Sequence, residues 1–163
     1  MVKRHRSDGC RRLAAHPHLP LYISGGQDGA VALWEWSHGS QVATVRPAGV
    51  FAKVNRIVFT QQGNKFGLCD GDGNTALWQA SSTSAPFFSI QTHTRNTADF
   101  IFQGGSSSLL ATAGHSTDSR NVAVWDTLLP QRKACVTSFT CHEAGAACLA
   151  HATQHQLLIR SHN

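Results

Sequence analysis

Ten histidines, nine acidic residues and five cysteines could build a metal centre or a hydrolytic site in a chain of 163 residues. Their spacing decides against it. The close histidine pairs are His16 with His18 and His151 with His155, and neither has a Cys or carboxylate nearby at ligand spacing. Both pairs stand at the ends of apolar runs, which reads as structural or exposed histidine. Cys10, Cys69, Cys135, Cys141 and Cys148 are odd in number and contain no C-x-x-C, so neither a disulfide framework nor a zinc knuckle is indicated. Most lie in apolar runs, where a reduced thiol packs as a small hydrophobe, and a reducing compartment suits them. No G-x-S-x-G elbow occurs. Gly25 and Gly26, and the run Gly71, Asp72, Gly73, are glycine-rich, but neither opens a helix followed by Lys, as a phosphate cradle would. The expectation is no catalytic residue, no metal and no cofactor.

What the polar residues do instead is recur. "GGQDGAVALWEW" at 25–36 returns as "CDGDGNTALWQA" at 69–80 and as "STDSRNVAVWDT" at 116–127. Trp34 and Trp78 are 44 residues apart, and Trp125 follows 47 later. Asp28 and Asp72 each stand six residues before their Trp, and Asp118 stands seven before. Leu13, Ile57 and Ile101 keep the 44-residue period, and His5 precedes His93 by two such periods. Internal repetition at this length signals an architecture of stacked units rather than one irregular core.

Each unit reads as four short strands with Gly, Asn, Pro and Ser between them. The expected strands are 10–16, 21–25, 30–36 and 41–46; then 54–60, 66–69, 74–79 and 87–92; then 97–102, 109–113, 122–126 and 134–140. No segment keeps a 3.6-residue apolar period over eleven residues. The composition agrees: hydrophobic residues are 41%, charged residues 14%, with four Trp, eight Phe and fourteen Gly, a globular and turn-rich β chain. The fold expected is all-β, a partial β-propeller of about three four-stranded blades plus the start of a fourth. Its boundaries are a basic segment at 1–9, blades at 10–48, 49–92 and 93–141, and a truncated blade at 142–163.

A four-stranded unit of this length with Asp-turn and Trp signatures resembles a WD repeat. That resemblance implies a structural circuit in each blade: Asp in the turn, His before the first strand, Ser or Thr on the second, Trp on the third. The first blade offers Asp28, His5, Ser24 and Trp34. The third offers Asp118, His93, Thr112 and Trp125. The second has Asp72 and Trp78, but Gly49 stands in the place of His and Leu68 in the place of Ser, so its circuit is expected to be incomplete. His142 opens the unfinished fourth unit.

Particular words in the chain go further. "HPHLPLYISGGQDG", "QGNKFG", "RNVAVWDTL" and "CHEAGAACLAHATQHQLLI" resemble the C-terminal propeller of the DmX-like (rabconnectin) family, over about residues 12–159, with arthropod wording. The resemblance implies a non-catalytic scaffold in a complex that promotes assembly of the vacuolar proton pump (V-ATPase), with vesicle acidification and trafficking as the process. It implies pump subunits and Rab-regulator components as partners, and a cytoplasmic location at vesicle or endosomal membranes held through those partners. After Ile159 the chain departs from the family pattern, which is expected of a fragment, a splice form or a gene model. Leu149, Leu157, Leu158 and Ile159 are then expected to face water or another chain, and unpaired blade edges to self-associate.

The net charge of +5 is concentrated: Lys3, Arg4, Arg6, Arg11 and Arg12 stand against Asp8 alone in residues 1–12. A basic head leaves an alternative open, a module for nucleic acid or an anionic surface. The absence of interleaved aromatics argues against nucleic acid. An inactive truncated product is the other alternative. No run of 18 apolar residues exists to span a membrane.

Overall fold

A computed structural model describes residues 9–45, 51–152 and 156–161, the last stretch and residues 151–152 by backbone pairing alone. Three four-stranded antiparallel sheets follow one another in chain order. The first contains β1 (Cys10–Ala15), β2 (Leu21–Gly26), β3 (Val31–Glu35) and β4 (Ser40–Val45). The second contains β5 (Val54–Phe59), β6 (Lys65–Asp70), β7 (Asn74–Gln79) and β8 (Phe88–Gln91). The third contains β9 (Asn96–Gln103), β10 (Leu109–His115), β11 (Val122–Asp126) and β12 (Cys135–Phe139), with a 3-10 turn at Gln131–Lys133 before its last strand. A two-stranded sheet of β13 (Ala146–Ala152) and β14 (Gln156–Ser161) closes the series. Among the described residues no helix is long and apolar enough to cross a membrane.

The first strands of successive sheets touch, β1 with β5, β5 with β9 and β9 with β13. The sheets therefore fan out from a common inner edge, as propeller blades do. Middle strands are sandwiched between neighbouring sheets, so they read as nearly continuous apolar runs: "KFGLCD" in β6 is buried at five of six positions. Along the first seam, Ile23, Val31, Leu33 and Val45 pack on Val54, Ile57, Phe66, Leu68 and Trp78. The second seam sets Cys69, Leu77 and Phe88 against Phe100, Leu110, Ala123 and Trp125. In the third, Ile101, Ala111, Ala113 and Val122 pack on Ala146 and Leu149. Leu149 is thus 7% exposed, contrary to the expectation that it faces water. The third blade's own face covers it, so two strands of the fourth sheet are enough to bury it. The side chains of Leu157, Leu158 and Ile159 lie outside the described residues.

Polar bonds cross the seams at one repeat length. Arg12 Nε donates to the Asn55 carbonyl (2.6 Å), Asn55 Nδ2 to the Thr97 carbonyl (2.8 Å) and Gln62 Nε2 to the Gly105 carbonyl (3.2 Å). His16 Nδ1 accepts the backbone N–H groups of His18 and Leu19, so its proton is on Nε2, which donates to the Gly63 carbonyl at 3.0 Å. His18 Nε2 bonds the Gln61 carbonyl at 3.0 Å. Every first strand also carries a register step, skipping Arg11, Asn55, Ala98 and Ala147 in turn.

The Asp-Gly turns have a second reason for Gly besides the turn itself. Gly29 (φ +75°) and Gly73 (φ +91°) lie beneath the next long loop, where a Cβ would come within 2.1 Å of the Phe51 carbonyl oxygen and 1.8 Å of the His93 carbonyl oxygen. Only a residue with no side chain fits there. In the third turn Ser119 occupies the left-handed position, at φ 62°.

Candidate functional site

The repeated Trp residues share one environment. Ser24, Leu68 and Thr112 occupy equivalent places on the second strands, opposite Ala32, Ala76 and Ala123. The Trp lies two residues beyond that Ala in each sheet. Trp34 Nε1 donates to Ser24 Oγ (2.8 Å), and Trp125 Nε1 donates to Thr112 Oγ1 (3.0 Å). Trp78 is fully buried, stacked on Phe66 at 5.5 Å between centroids, and its Nε1 has no hydrogen-bond partner among the described residues. Leu68 stands where an acceptor stands in the other two blades.

In the third blade the circuit runs further. His93, 2% exposed, bonds Thr112 Oγ1 through Nε2 (3.0 Å) and Ser116 Oγ through Nδ1 (3.1 Å). The expected contact from Asp118 to His93 is not made: Ser116 takes that place. Asp118 Oδ1 instead accepts the Arg120 backbone N–H (3.1 Å). The longer spacing between Asp118 and Trp125 moves the carboxylate outward along the turn. Burial pushes the His93 imidazole below its ordinary pKa, with its hydrogen bonds and nearby Asp118 opposing weakly.

Asp28 behaves as Asp118 does, with Oδ1 accepting the Ala30 N–H at 3.1 Å. His5 and Gly49 lie outside the described residues. In the second blade the capping carboxylate is Asp70 rather than Asp72. Asp70 is fully buried and accepts from the backbone N–H groups of Ala52 (3.0 Å), Asp72 (3.0 Å) and Asn74 (2.8 Å) and from Asn74 Nδ2 (2.9 Å). Asp72 is exposed. The sequence reading missed Asp70 because it ends an apolar strand and looked like its terminus. It also missed Asn121, whose amide donates to the His142 carbonyl and accepts from the Cys141 N–H (3.0 Å). The His142 side chain itself is half-buried.

This arrangement saturates hydroxyls, amides and one neutral imidazole against each other. It fastens strands to one another. The five cysteines are free thiols, and Cys69 is buried, its thiol pushed well above its ordinary pKa by desolvation first and by Asp99 and Asp70 next. Among the described residues no three His, Cys, Asp or Glu side chains converge to hold a metal ion. The features left for binding are surfaces. A mainly apolar groove of about 330 Å³ is lined by Ala15, Leu19, Leu21, Tyr22 and Trp36, with Trp36 67% exposed.

No protein-family profile matches the chain. It is 46% identical over 157 residues to human "DmX-like protein 1", and 44% identical to the mouse protein of that name. Each match covers 91% of this chain and 5% of the relative, so the chain spans about a twentieth of the length of these curated relatives. Among solved structures it is similar to "Structure of U3-55K" and to "Crystal structure of RRP9 WD40 repeats", each with a TM-score of 0.78 at 17% identity. These cover 94% of this chain and 46% and 45% of the respective structures. At that identity the likeness concerns the fold, and it extends over less than half of each of those chains. With near-half identity along nearly the whole chain and sheets that superpose on WD40 repeats, the chain belongs to the DmX-like family and folds as WD-repeat β-propeller blades.

Proposed function

We propose that the chain is a protein-interaction part of a DmX-like scaffold that promotes V-ATPase assembly, and through it vesicle acidification and trafficking. The observation carrying this reading is the 46% identity to a DmX-like protein over 91% of the chain. The geometry supports a surface role: the polar constellations are spent on fastening blades, and recognition is left to rims and exposed faces. The partners proposed are V-ATPase subunits and Rab-regulator components, met in the cytoplasm at vesicle or endosomal membranes without a membrane span of the chain's own. Exposed Leu13 (65%) and Val42 (56%) on the first blade suit burial by another blade or a second copy.

The test is affinity purification from cells of a tagged parent protein with and without this region, read for V-ATPase subunits, beside a measurement of vesicle pH. Loss of the pump subunits with loss of the region supports the reading. Unchanged recovery and unchanged vesicle pH overturn it.

A further inference from the structure

We propose that the inner edge formed by β1 and β5 is a docking site for an acidic peptide segment of a partner protein, with Arg11, Arg12, Lys53 and Arg56 as its cationic contacts. This deepens the scaffold reading above and rests on it. Positions 9–13 and 51–57 hold these four cations and no acid, and all four are exposed. The seam gathers two pairs, Arg11 with Arg12 and Lys53 with Arg56, that lie more than forty residues apart in the sequence. Arg11 Nε donates to the Val54 carbonyl (3.4 Å) and Arg12 Nε to the Asn55 carbonyl (2.6 Å), two consecutive carbonyls of β5. Lys53 and Arg56 flank those same residues in the chain. The Lys53 stem lies along Gly71, where even a Cβ would meet its Cε at 2.8 Å.

The anchoring matters for recognition. A guanidinium tied through Nε to a backbone carbonyl has lost much of its freedom before any partner arrives; Arg12 Nη1 also donates to the Arg11 carbonyl at 3.0 Å, and the N–H groups not so used remain for a carboxylate. Arg11 Nη1 is further held by Gln27 Oε1 at 2.8 Å. Arg56 is held from the other side, with Nε 3.1 Å from Asp99 Oδ1, while Asp99 Oδ2 accepts the Leu149 N–H at 2.9 Å. Three arginines are thus fixed on the inner edge and Lys53 adds a mobile charge. Charge complementarity calls for an anionic partner. Among the described residues the exposed aromatics Trp36, Phe87 and Phe139 belong to later strands and loops and not to β1 or β5, which favours carboxylates over stacked bases.

The experiment uses the full chain and a fluorescein-labelled decaglutamate peptide, read by anisotropy in low salt. The expected result is saturable binding that weakens as salt rises, and weakens about fivefold in the Arg11→Gln, Lys53→Gln double variant. A Lys3→Gln, Arg4→Gln, Arg6→Gln variant is expected to stay within about twofold of the parent, since the contact is assigned to Arg11, Arg12, Lys53 and Arg56 alone. Circular dichroism checks each variant for folding; if the double variant is unfolded, Lys53→Gln alone is expected to weaken binding about twofold. Absence of saturable binding, equal affinity in the edge variants, or loss of binding on neutralising the head would overturn the proposal. So would tighter binding of decauridylate or of phosphatidylserine vesicles than of the peptide. If pump subunits co-purify with the parent while decaglutamate fails to bind, the assignment of this edge falls and the scaffold reading stands.

Discussion

The orphaned indole of Trp78 offers a direct test of why a Ser or Thr recurs beside each repeated Trp. Replacing Leu68 by Val removes one methylene from a fully buried site and is expected to cost about 1 kcal/mol. Replacing it by Thr leaves the same shape with a hydroxyl in place of one Val methyl. At an ordinary core position that hydroxyl would cost a further 1–3 kcal/mol, roughly, for want of a partner. Position 68 is not ordinary: Leu68 pairs with Ala76 as Ser24 pairs with Ala32, and Ser24 lies 2.8 Å from its Trp Nε1. A Thr hydroxyl there reaches the Trp78 N–H and relieves a buried unsatisfied donor, worth about 1–3 kcal/mol. Leu68→Thr should therefore be more stable than Leu68→Val by about 1 kcal/mol or more. With Trp78→Phe in the background, which removes the donor, the order should reverse. Urea unfolding of the four variants gives the coupling energy, expected at about 2 kcal/mol. Were Leu68→Thr less stable than Leu68→Val by the same amount in both backgrounds, the equivalence of the three slots would be refuted.

Three other expectations concern the neighbouring polar groups. Asp70→Ala should cost roughly 3 kcal/mol, because four part-buried donors lose one buried carboxylate, whereas Asp72→Ala should cost less than about 1 kcal/mol; equilibrium unfolding of both distinguishes them. His93 has a folded-state pKa below its unfolded value near 6.5, so the unfolded chain binds the proton more readily. Stability should be full above that value and fall as pH drops below it, and the urea midpoint of His93→Gln should change less between pH 7.5 and 5.5. Ser119→Gly should stabilise by about 0.5–1 kcal/mol, since Ser119 holds a left-handed backbone at φ 62° that Gly adopts freely; thermal unfolding measures it.

The repeat made much of the fold legible. A 44-residue period, turns of the Asp-Gly type and alternating apolar runs placed strands such as 74–79 and 122–126 where β7 and β11 lie. The slot shared by Ser24, Leu68 and Thr112 was visible for the same reason, since equal spacing in sequence becomes equal place in a blade. What escaped were contacts made between blades. Arg56 and Asp99 are 43 residues apart, and nothing in either neighbourhood marks them as partners. Asp70 and Ser116 escaped because one residue more or less in a turn re-aims a side chain, and spacing alone does not report which carboxyl or hydroxyl ends up inward. Leu149 was misjudged because a neighbour's face, rather than the completeness of its own sheet, decides whether it meets water.

The seam bonds, joining residues 41–50 apart, have a consequence for how the chain folds. Between successive blades, the chain need make no excursion much longer than one repeat to form a seam. Closing a loop of that size costs about 3 kcal/mol in its length-dependent part, and the cost is nearly the same at every seam. Folding of such an array is a nearest-neighbour problem, in which one formed blade is the template for the next and a disrupted seam divides the array there. Amide exchange should then show protection in blocks bounded by seams, with a weakened first seam releasing the first blade while the second and third keep their protection.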